Sequence, residues 1–457
     1  MTDIASALVR SVFYPLWMIK DGDGEILRHL DRFEGIERAG GEAARARQLQ
    51  RLRGILQHAY RNTDYYRDVF DAAGFAPDAL RDVGQLQSLP ILTKDIVRRQ
   101  FDRLTARNVA PGARTRASTG GSTGAPMTFL RDRDSLYLRK GQELFFDAWM
   151  GYRLGMKAAL FVAASHYDGV AQKWKARIRN ATCERLLRFD PHHITDDYMA
   201  EFARQYVAFR PQIIKCFPNS LAIFADFLER RGLRVPPVRA ISCTGENLYA
   251  QQRALFERTF GGEVFEKYGT RESGVIACEC RRHQGLHVFI DGVVLEILDA
   301  HGAPVGPGEM GRVIVTDLFN RAMPLVRYEI GDMAIAAGPE PCACGSSLPL
   351  VAKVVGRDRD ILYDGDGNPK PGYLFVEVIN DLDLPAQFQI VQTARDRLLV
   401  KVVAQDRSQA GLDAVRARYQ EIVGPRVRVD FEFTDDIPRD PSGKYRYVVS
   451  HLGAAQH

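Results

Sequence analysis

A chain of 457 residues with 46% hydrophobic and 26% charged side chains is too long and too apolar to be a disordered tract, and it has room for two or more domains with cores of their own. Its 62 Lys and Arg against 57 Asp and Glu leave a formal net charge of +5, spread through mixed-sign stretches such as residues 81–100. That distribution argues against a nucleic-acid track and suits an anionic small molecule held at one site. Seven cysteines, an odd number, argue against a disulfide framework and for a reducing, cytoplasmic setting.

The apolar N-terminal stretch is interrupted by Arg10 and Lys20 well short of a spanning length, so stable membrane insertion is not expected, and Phe13, Leu16 and Trp17 are expected to pack onto the domain. Residues 43–70 repeat apolar positions at helical spacing through Leu49, Leu52, Ile55, Leu56 and Ala59. From residue 157 onward, short aliphatic runs alternate with amphipathic segments ("KAALFVAAS", "DYMAEFARQYVAFR", "PQIIKCF", "SLAIFADFLERRG", "VRAISCTGE"), the rhythm of an α/β domain with a largely parallel sheet. After Gly285 closely spaced strands predict a β-rich subdomain, and beyond "GRDRD", residues 356–360, the texture becomes that of a small α+β domain. The expected fold is α/β: a large N-terminal unit over 1–356 with layered sheets, a hinge at 357–360, and a small mobile C-terminal α+β unit over 361–457.

The string "STGGSTGAPMTF", residues 118–129, lacks the Lys-Ser/Thr ending of a Walker loop, and taken alone it reads equally as a flexible turn or a phosphate cradle. Its companions change the balance. "TGEN" (244–247) and "YGTRES" (268–273) each follow a strand-like run, which places them at strand C-terminal ends, where open α/β sheets bind ligands. "RYEIGD" ends in Asp332, a carboxylate able to accept from both hydroxyls of a ribose. "GRDRD" supplies Arg357, and "PRDPSGKYR" puts Lys444 near the C-terminus.

These strings, in this order, resemble the adenylate-forming ligases, in the branch that includes phenylacetate-CoA ligases and CapK-type capsular-polysaccharide proteins, and the resemblance covers essentially the whole chain. It implies an ATP- and Mg²⁺-dependent acid–thiol ligase that makes an acyl-AMP and passes the acyl group to CoA. Under it Ser118, Thr119, Gly120, Gly121, Ser122, Thr123 and Gly124 wrap the phosphates, and Glu272 holds Mg²⁺. Tyr268, with Gly269 and Thr270 after it, lies against the adenine near Gly245, Glu246 and Asn247. Asp332 takes the ribose and Arg357 the ribose or phosphate side, while Lys444 bridges the substrate carboxylate and α-phosphate. His166, Tyr167, Phe217, Pro218 and Asn219 suggest a pocket for an aromatic or largely apolar acid. Ala125 stands where many members carry Lys, and Arg131 or Lys444 is the candidate to compensate. The "DGNPKPG" turn after the hinge departs from the usual ligase pattern, which leaves open an amine acceptor, or a nucleotide-binding homologue without catalysis. A homodimer is left open as well.

A second constellation is "CECRRHQGLH" with "CACG". Cys278, Cys280, His283, His287, Cys342 and Cys344 offer six donors for the four positions of a structural Zn²⁺ site, with Cys280, His287, Cys342 and Cys344 favoured and Cys278 and His283 in reserve. Cys183, Cys216 and Cys243 read as buried free thiols.

Overall fold

The computed structural model describes residues 4–21, 25–119, 127–162, 174–190, 194–357, 360–382, 387–403, 409–438 and 446–452. The segment over 43–70 expected to be helical falls in two helices, Gly41–Asn62 and Asp64–Ala72. They are divided at Thr63, whose extended backbone ends the first while its hydroxyl accepts from Tyr66 N–H to start the second. Ahead of them, Trp17 Nε1 donates to Thr182 Oγ1 at 3.2 Å, but Phe13 and Leu16 are exposed. Packing onto the domain therefore holds for Trp17 and not for its two apolar neighbours. No described helix is long and apolar enough to cross a membrane.

A single eleven-stranded sheet organises most of the chain. One half is parallel, in the order β4 (Leu186–Arg188), β3 (Ala158–Phe161), β5 (Ile213–Cys216), β6 (Ala240–Thr244) and β7 (Glu263–Thr270). The other continues antiparallel through β8 (Gly274–Glu279), β9 (Leu286–Val288), β13 (Leu350–Arg357), β12 (Tyr328–Ala336), β11 (Met310–Asp317) and β10 (Val293–Leu298). The strands after Gly285 form the β-rich antiparallel half of this sheet, and the β7–β8 pairing joins that half to the parallel one.

Helices cover the parallel half because their apolar stripes match it. In Asp196–Phe209, Thr195 caps the start and Met199, Phe202, Ala203 and Tyr206 recur at helical spacing and are buried. They pack with Phe161, Ile214, Phe224 and Ile241 in one cluster. A hairpin of β1 (Arg114–Ser118) and β2 (Thr128–Asp132) leads into the helix Arg133–Trp149. Buried Asp132 aims this helix: one carboxylate oxygen accepts from Ser135 N–H at 2.7 Å as the cap, the other from Arg321 N–H at 2.6 Å.

The C-terminal region forms its own four-stranded sheet, ordered β18 (Arg428–Phe433), β17 (Arg397–Val403), β16 (Gln387–Ala394), β19 (Val448–Ser450). Its core gathers Phe375, Val400, Val415 and Tyr419, and among the described residues only Tyr249 reaches it from the buried residues of the larger part.

Candidate active site

A cleft of about 610 Å³ opens at the C-terminal ends of the parallel strands, with Gly372, Tyr373, Arg446, Tyr447 and Val448 on its far wall. Twelve of the residues singled out from sequence line it: Thr119, Phe217, Asn219, Gly245, Glu246, Asn247, Tyr268, Gly269, Thr270, Glu272, Asp332 and Arg357. They come from six separate stretches of chain, which only the sheet brings together.

The mouth is built on strand pairing. Asp332 and Arg357 are direct partners across β12 and β13, and Arg357 Nε meets Asp332 Oδ1 at 3.0 Å. Tyr268 OH donates to Asp332 Oδ2 at 2.7 Å from β7. Burial, then Asp332 itself, pushes the Tyr268 phenol well above its ordinary range, so it stays a protonated donor; Asp332 and burial acting in opposite senses leave Arg357 raised. Two glycines let these strands approach. A Cβ on Gly269 would lie 2.5 Å from the Gly274 carbonyl oxygen, and Gly356, at φ 121°, leaves room for Asn247 Nδ2, which donates to Val355 O at 2.9 Å. Next to Arg357, burial raises the Asp360 carboxyl to about 6 while its oxygen accepts from Arg357 N–H at 3.1 Å.

The Ser/Thr/Gly string is no slack linker at its base. Ser118 pairs with Thr128, Thr119 N–H donates to Met127 O at 2.9 Å, and Met127 N–H donates to Thr119 Oγ1 at 3.0 Å. Gly120, Gly121, Ser122, Thr123 and Gly124 lie outside the described residues, as do His166, Tyr167 and Lys444. The neck is tied to the "YGTRES" turn: Arg271 Nη1 donates to Ser118 O at 3.1 Å, and Arg131 and Arg139 both donate to the Arg271 carbonyl. Glu272 is 5% exposed, and its Oε1 accepts from Tyr328 OH at 3.2 Å. Arg131 lines the same wall, its guanidinium lowered to about 10 by burial and by Arg139.

On the wall formed by the start of the helix after β5, Asn219 N–H donates to Glu246 Oε2 at 3.1 Å, and Phe217 faces the cleft. Pro218 does not line it: as the first residue of the helix Pro218–Arg230 it is buried and turns the chain out of β5. Sequence reasoning missed Lys140, Glu143, Lys215 and Lys267, which also line the cleft. The signal was there for Lys215, which sits inside an otherwise apolar strand run, where charge is rare.

Away from the cleft, Cys280, His287, Cys342 and Cys344 hold their donor atoms within 4.8 Å of one another. Cys280 Sγ is 3.6 Å from Cys342 Sγ, and His287 Nε2 is 3.3 Å from Cys344 Sγ. Sulfurs bound to one tetrahedral Zn²⁺ at about 2.3 Å sit roughly 3.8 Å apart, so three thiols and an imidazole at these spacings fit that ion. His287 Nδ1 lies 3.0 Å from Leu348 O, which orients the ring and leaves Nε2 facing the thiols. Cys278 is not a member, contrary to the wider donor set expected. It pairs with His287 across β8 and β9, but it stays inside the strand and packs in the main core, near Lys267 and Asp147, with its thiol pushed up to about 12 by burial. His283 faces Glu263 and Glu279 instead.

The comparisons with known proteins follow this geometry. Residues 373–451 match the family model described as the CapK C-terminal domain. The chain is 22% identical over 415 residues to Protein CapK of Staphylococcus aureus, covering 89% of each chain, and 28% identical over 341 residues to phenylacetate-coenzyme A ligase of Aromatoleum evansii, covering 72% of this chain and 74% of that one. Among solved structures, 2-hydroxyisobutyryl-CoA ligase in the postadenylation state with an acyl-AMP superposes with a TM-score of 0.71 at 19% identity over 90% of both chains. The same ligase in its thioesterification state superposes less well, with a TM-score of 0.59. The long sheet with a small mixed domain closing over its strand ends is the adenylate-forming enzyme fold. Within that class, the curated relatives the chain is similar to are CapK and phenylacetate-CoA ligases.

Proposed function

We propose that this chain activates a carboxylic acid with a largely apolar body as its acyl-AMP, releasing pyrophosphate, and then transfers the acyl group to coenzyme A. The observation that carries the reading is the Tyr268–Asp332–Arg357 row, in which one carboxylate is held between a phenol and a guanidinium beside the neck of the Ser/Thr/Gly loop. The phenylacetate-CoA ligase relatives support it.

In this reading Tyr268 lies against the adenine beside Gly245, Glu246 and Asn247, Asp332 accepts from the ribose hydroxyls, and Ser118 and Thr119 anchor the loop around the phosphates. Glu272 is a buried carboxylate on the cleft wall, the donor a hard cation prefers, and Mg²⁺ there neutralises phosphate charge. Arg131 adds fixed positive charge where Ala125 leaves the loop without a lysine. The acid's carboxylate oxygen attacks the α-phosphorus and the bond to pyrophosphate breaks, with Lys444 stabilising the charge that builds there. The thiol sulfur then attacks the acyl carbonyl carbon and AMP leaves. Residues 1–356 form the adenylation unit, 357–360 the hinge and 361–457 the moving unit, in the cytoplasm, where reduced cysteines persist. Cys280, His287, Cys342 and Cys344 hold a structural zinc.

Acid-dependent exchange of pyrophosphate into ATP tests the first half-reaction, and no exchange across a panel of aromatic and aliphatic acids overturns it. Consumption of preformed acyl-AMP by CoA but not by amines tests the second. Asp332→Asn removes a charged acceptor, and hydrogen bonds to charged groups contribute about 1.5–3 kcal/mol, so KM for ATP is expected to rise roughly tenfold to a hundredfold with kcat changed less than about threefold. Steady-state kinetics at saturating acid checks it.

A further inference from the structure

The first helix of the chain shows an apolar side to solvent. Ile4–Leu8, a π turn at Val9–Phe13 and Tyr14–Asp21 run on as one helix of about 27 Å. Pro15 has no N–H for the Ser11 carbonyl, and the wider turn takes up that loss. The inner side is well seated. Val9 and Met18 are buried, Met18 packs in one cluster with Ile26, Leu144, Met150 and Phe265, and Arg185 Nη1 donates to Ser6 Oγ at 2.9 Å. A Cβ on Gly155 would lie 2.6 Å from the Ser6 carbonyl oxygen, so the helix rests directly on that turn.

Its outer side is a different surface. Among the described residues eight large apolar side chains are exposed, and five of them, Leu8, Val12, Phe13, Leu16 and Ile19, are on this one helix. Leu8, Val12, Leu16 and Ile19 recur at spacings of four, four and three, which aligns them in one stripe. Leu16 is 58% and Ile19 75% exposed. A sixth, Ile178, belongs to the neighbouring helix Trp174–Arg179, tied on through Thr182, whose hydroxyl donates to Ile178 O at 2.7 Å and accepts from Trp17 Nε1. Single exposed apolar residues are ordinary on a protein surface, whereas a contiguous stripe of them marks a contact.

Cations border the stripe. Arg10 and Lys20 are exposed on the same helix, as is Arg177 beside Ile178. Lys20 Nζ stands 4.3 Å from the Trp17 ring centroid, and the Arg179 guanidinium 5.6 Å. Glu184, on the turn packed against this helix, is engaged by Arg179 and Arg188. A second copy of the chain fits this charge poorly: laid antiparallel, two such helices set Arg10 against Lys20, and laid parallel they set each cation against itself. A helix ridge is also convex, a shape that sinks into a fluid acyl layer to the depth of its own side chains. We infer that this helix lies in the plane of an anionic lipid bilayer, with its apolar stripe at the acyl boundary and Arg10, Lys20 and Arg177 on the headgroup phosphates. The contact is peripheral and reversible, since the two cations within the helix hold it at the surface.

Sedimentation of the full chain with vesicles of phosphatidylcholine alone, or with about 30 mol% phosphatidylglycerol added, tests this. The expected result is a partition coefficient at least about tenfold higher on the anionic vesicles, with that excess reduced several-fold between about 0.1 M and about 0.5 M salt. Arg10→Glu combined with Lys20→Glu should remove the excess. Leu16→Gln combined with Ile19→Gln should cut binding to both vesicles at least about tenfold by removing inserted apolar area, and should leave Tm and pyrophosphate exchange at their wild-type values. Ile19→Gln alone repeats the measurement if the double variant fails to fold. No binding, equal binding to neutral and anionic vesicles, or binding that the glutamine variants leave unaltered overturns the inference. A wild-type dimer in light scattering that the Leu16→Gln, Ile19→Gln chain does not form, without vesicle binding, overturns it in favour of a second copy as the occupant.

Discussion

Lys444→Ala is expected to lower acid-dependent pyrophosphate exchange by about a hundredfold to a thousandfold, the usual cost of removing one preorganised group from a site of developing charge, while transfer from supplied acyl-AMP to CoA stays within about threefold. Lys444 lies outside the described residues, but the chain two positions later is well placed: Arg446, Tyr447 and Val448 line the cleft, and Tyr447 stacks edge-on to Tyr249 with ring centroids 5.4 Å apart. Val448 then enters β19 beside Ile390 of β16. In the reaction proposed above, Lys444 meets the charge that builds at the α-phosphate during adenylation. Single-turnover measurement of each half-reaction separates the two effects. Equal loss of both steps would falsify the assignment, and Lys444→Arg, which keeps the charge with a different shape, should recover part of the exchange rate.

How much of this was legible before folding depends on whether the cause is local. The strand–helix alternation from residue 157 was readable because aliphatic runs and helical stripes are local patterns, and "PQIIKCF", "VRAISCTGE" and "EVFEKYG" became β5, β6 and β7. The roles given to Asp332 and Arg357 came from the order of motifs; that the two are direct cross-strand partners is a fact of register between strands, which no short window contains. That the β-rich part continues the same sheet was hidden for the same reason, because the β7–β8 pairing that joins both halves is set by the turn at Arg271–Ser273 and by the close approach at Gly269. Cys278 was misjudged because C-x-C spacing says nothing of where the strand ends: Cys278 is still in β8, whereas Cys280 is past it and free to turn toward Cys342. Lys215 was a visible anomaly. Without the helix bearing Asp147 opposite it, a lysine in a strand has no assigned partner, and its meaning is tertiary.

The cysteine–histidine cluster should hold one zinc per chain, and its removal should cost stability before it costs chemistry. Cys280 follows β8, His287 sits in β9, and Cys342 and Cys344 belong to the segment that leads into β13, so a metal there joins the turn before β9 to the approach to β13. These two strands pair through His287 opposite Leu350, and β13 runs on to Arg357 and the Asp332 contact. The cluster also backs onto the cleft's helix, since the Trp149 and His287 rings pack edge-to-face with centroids 5.2 Å apart. Structural zinc sites contribute their binding free energy to folding, so even a few kcal/mol withheld moves the midpoint by several degrees. Elemental analysis of protein purified without chelator should find zinc near one equivalent. Cys342→Ser or exhaustive chelation should lower Tm by about 5 °C or more, with ATP–pyrophosphate exchange at low temperature retained within about threefold, because no cluster residue lines the cleft. Cys278→Ser separates metal binding from core packing: it should leave zinc content unchanged and lower Tm by its own route, through a hydroxyl placed in an apolar core. Zinc-free protein with an unaltered Tm, or loss of zinc in Cys278→Ser, would mean that the four donors named here are not the ligands.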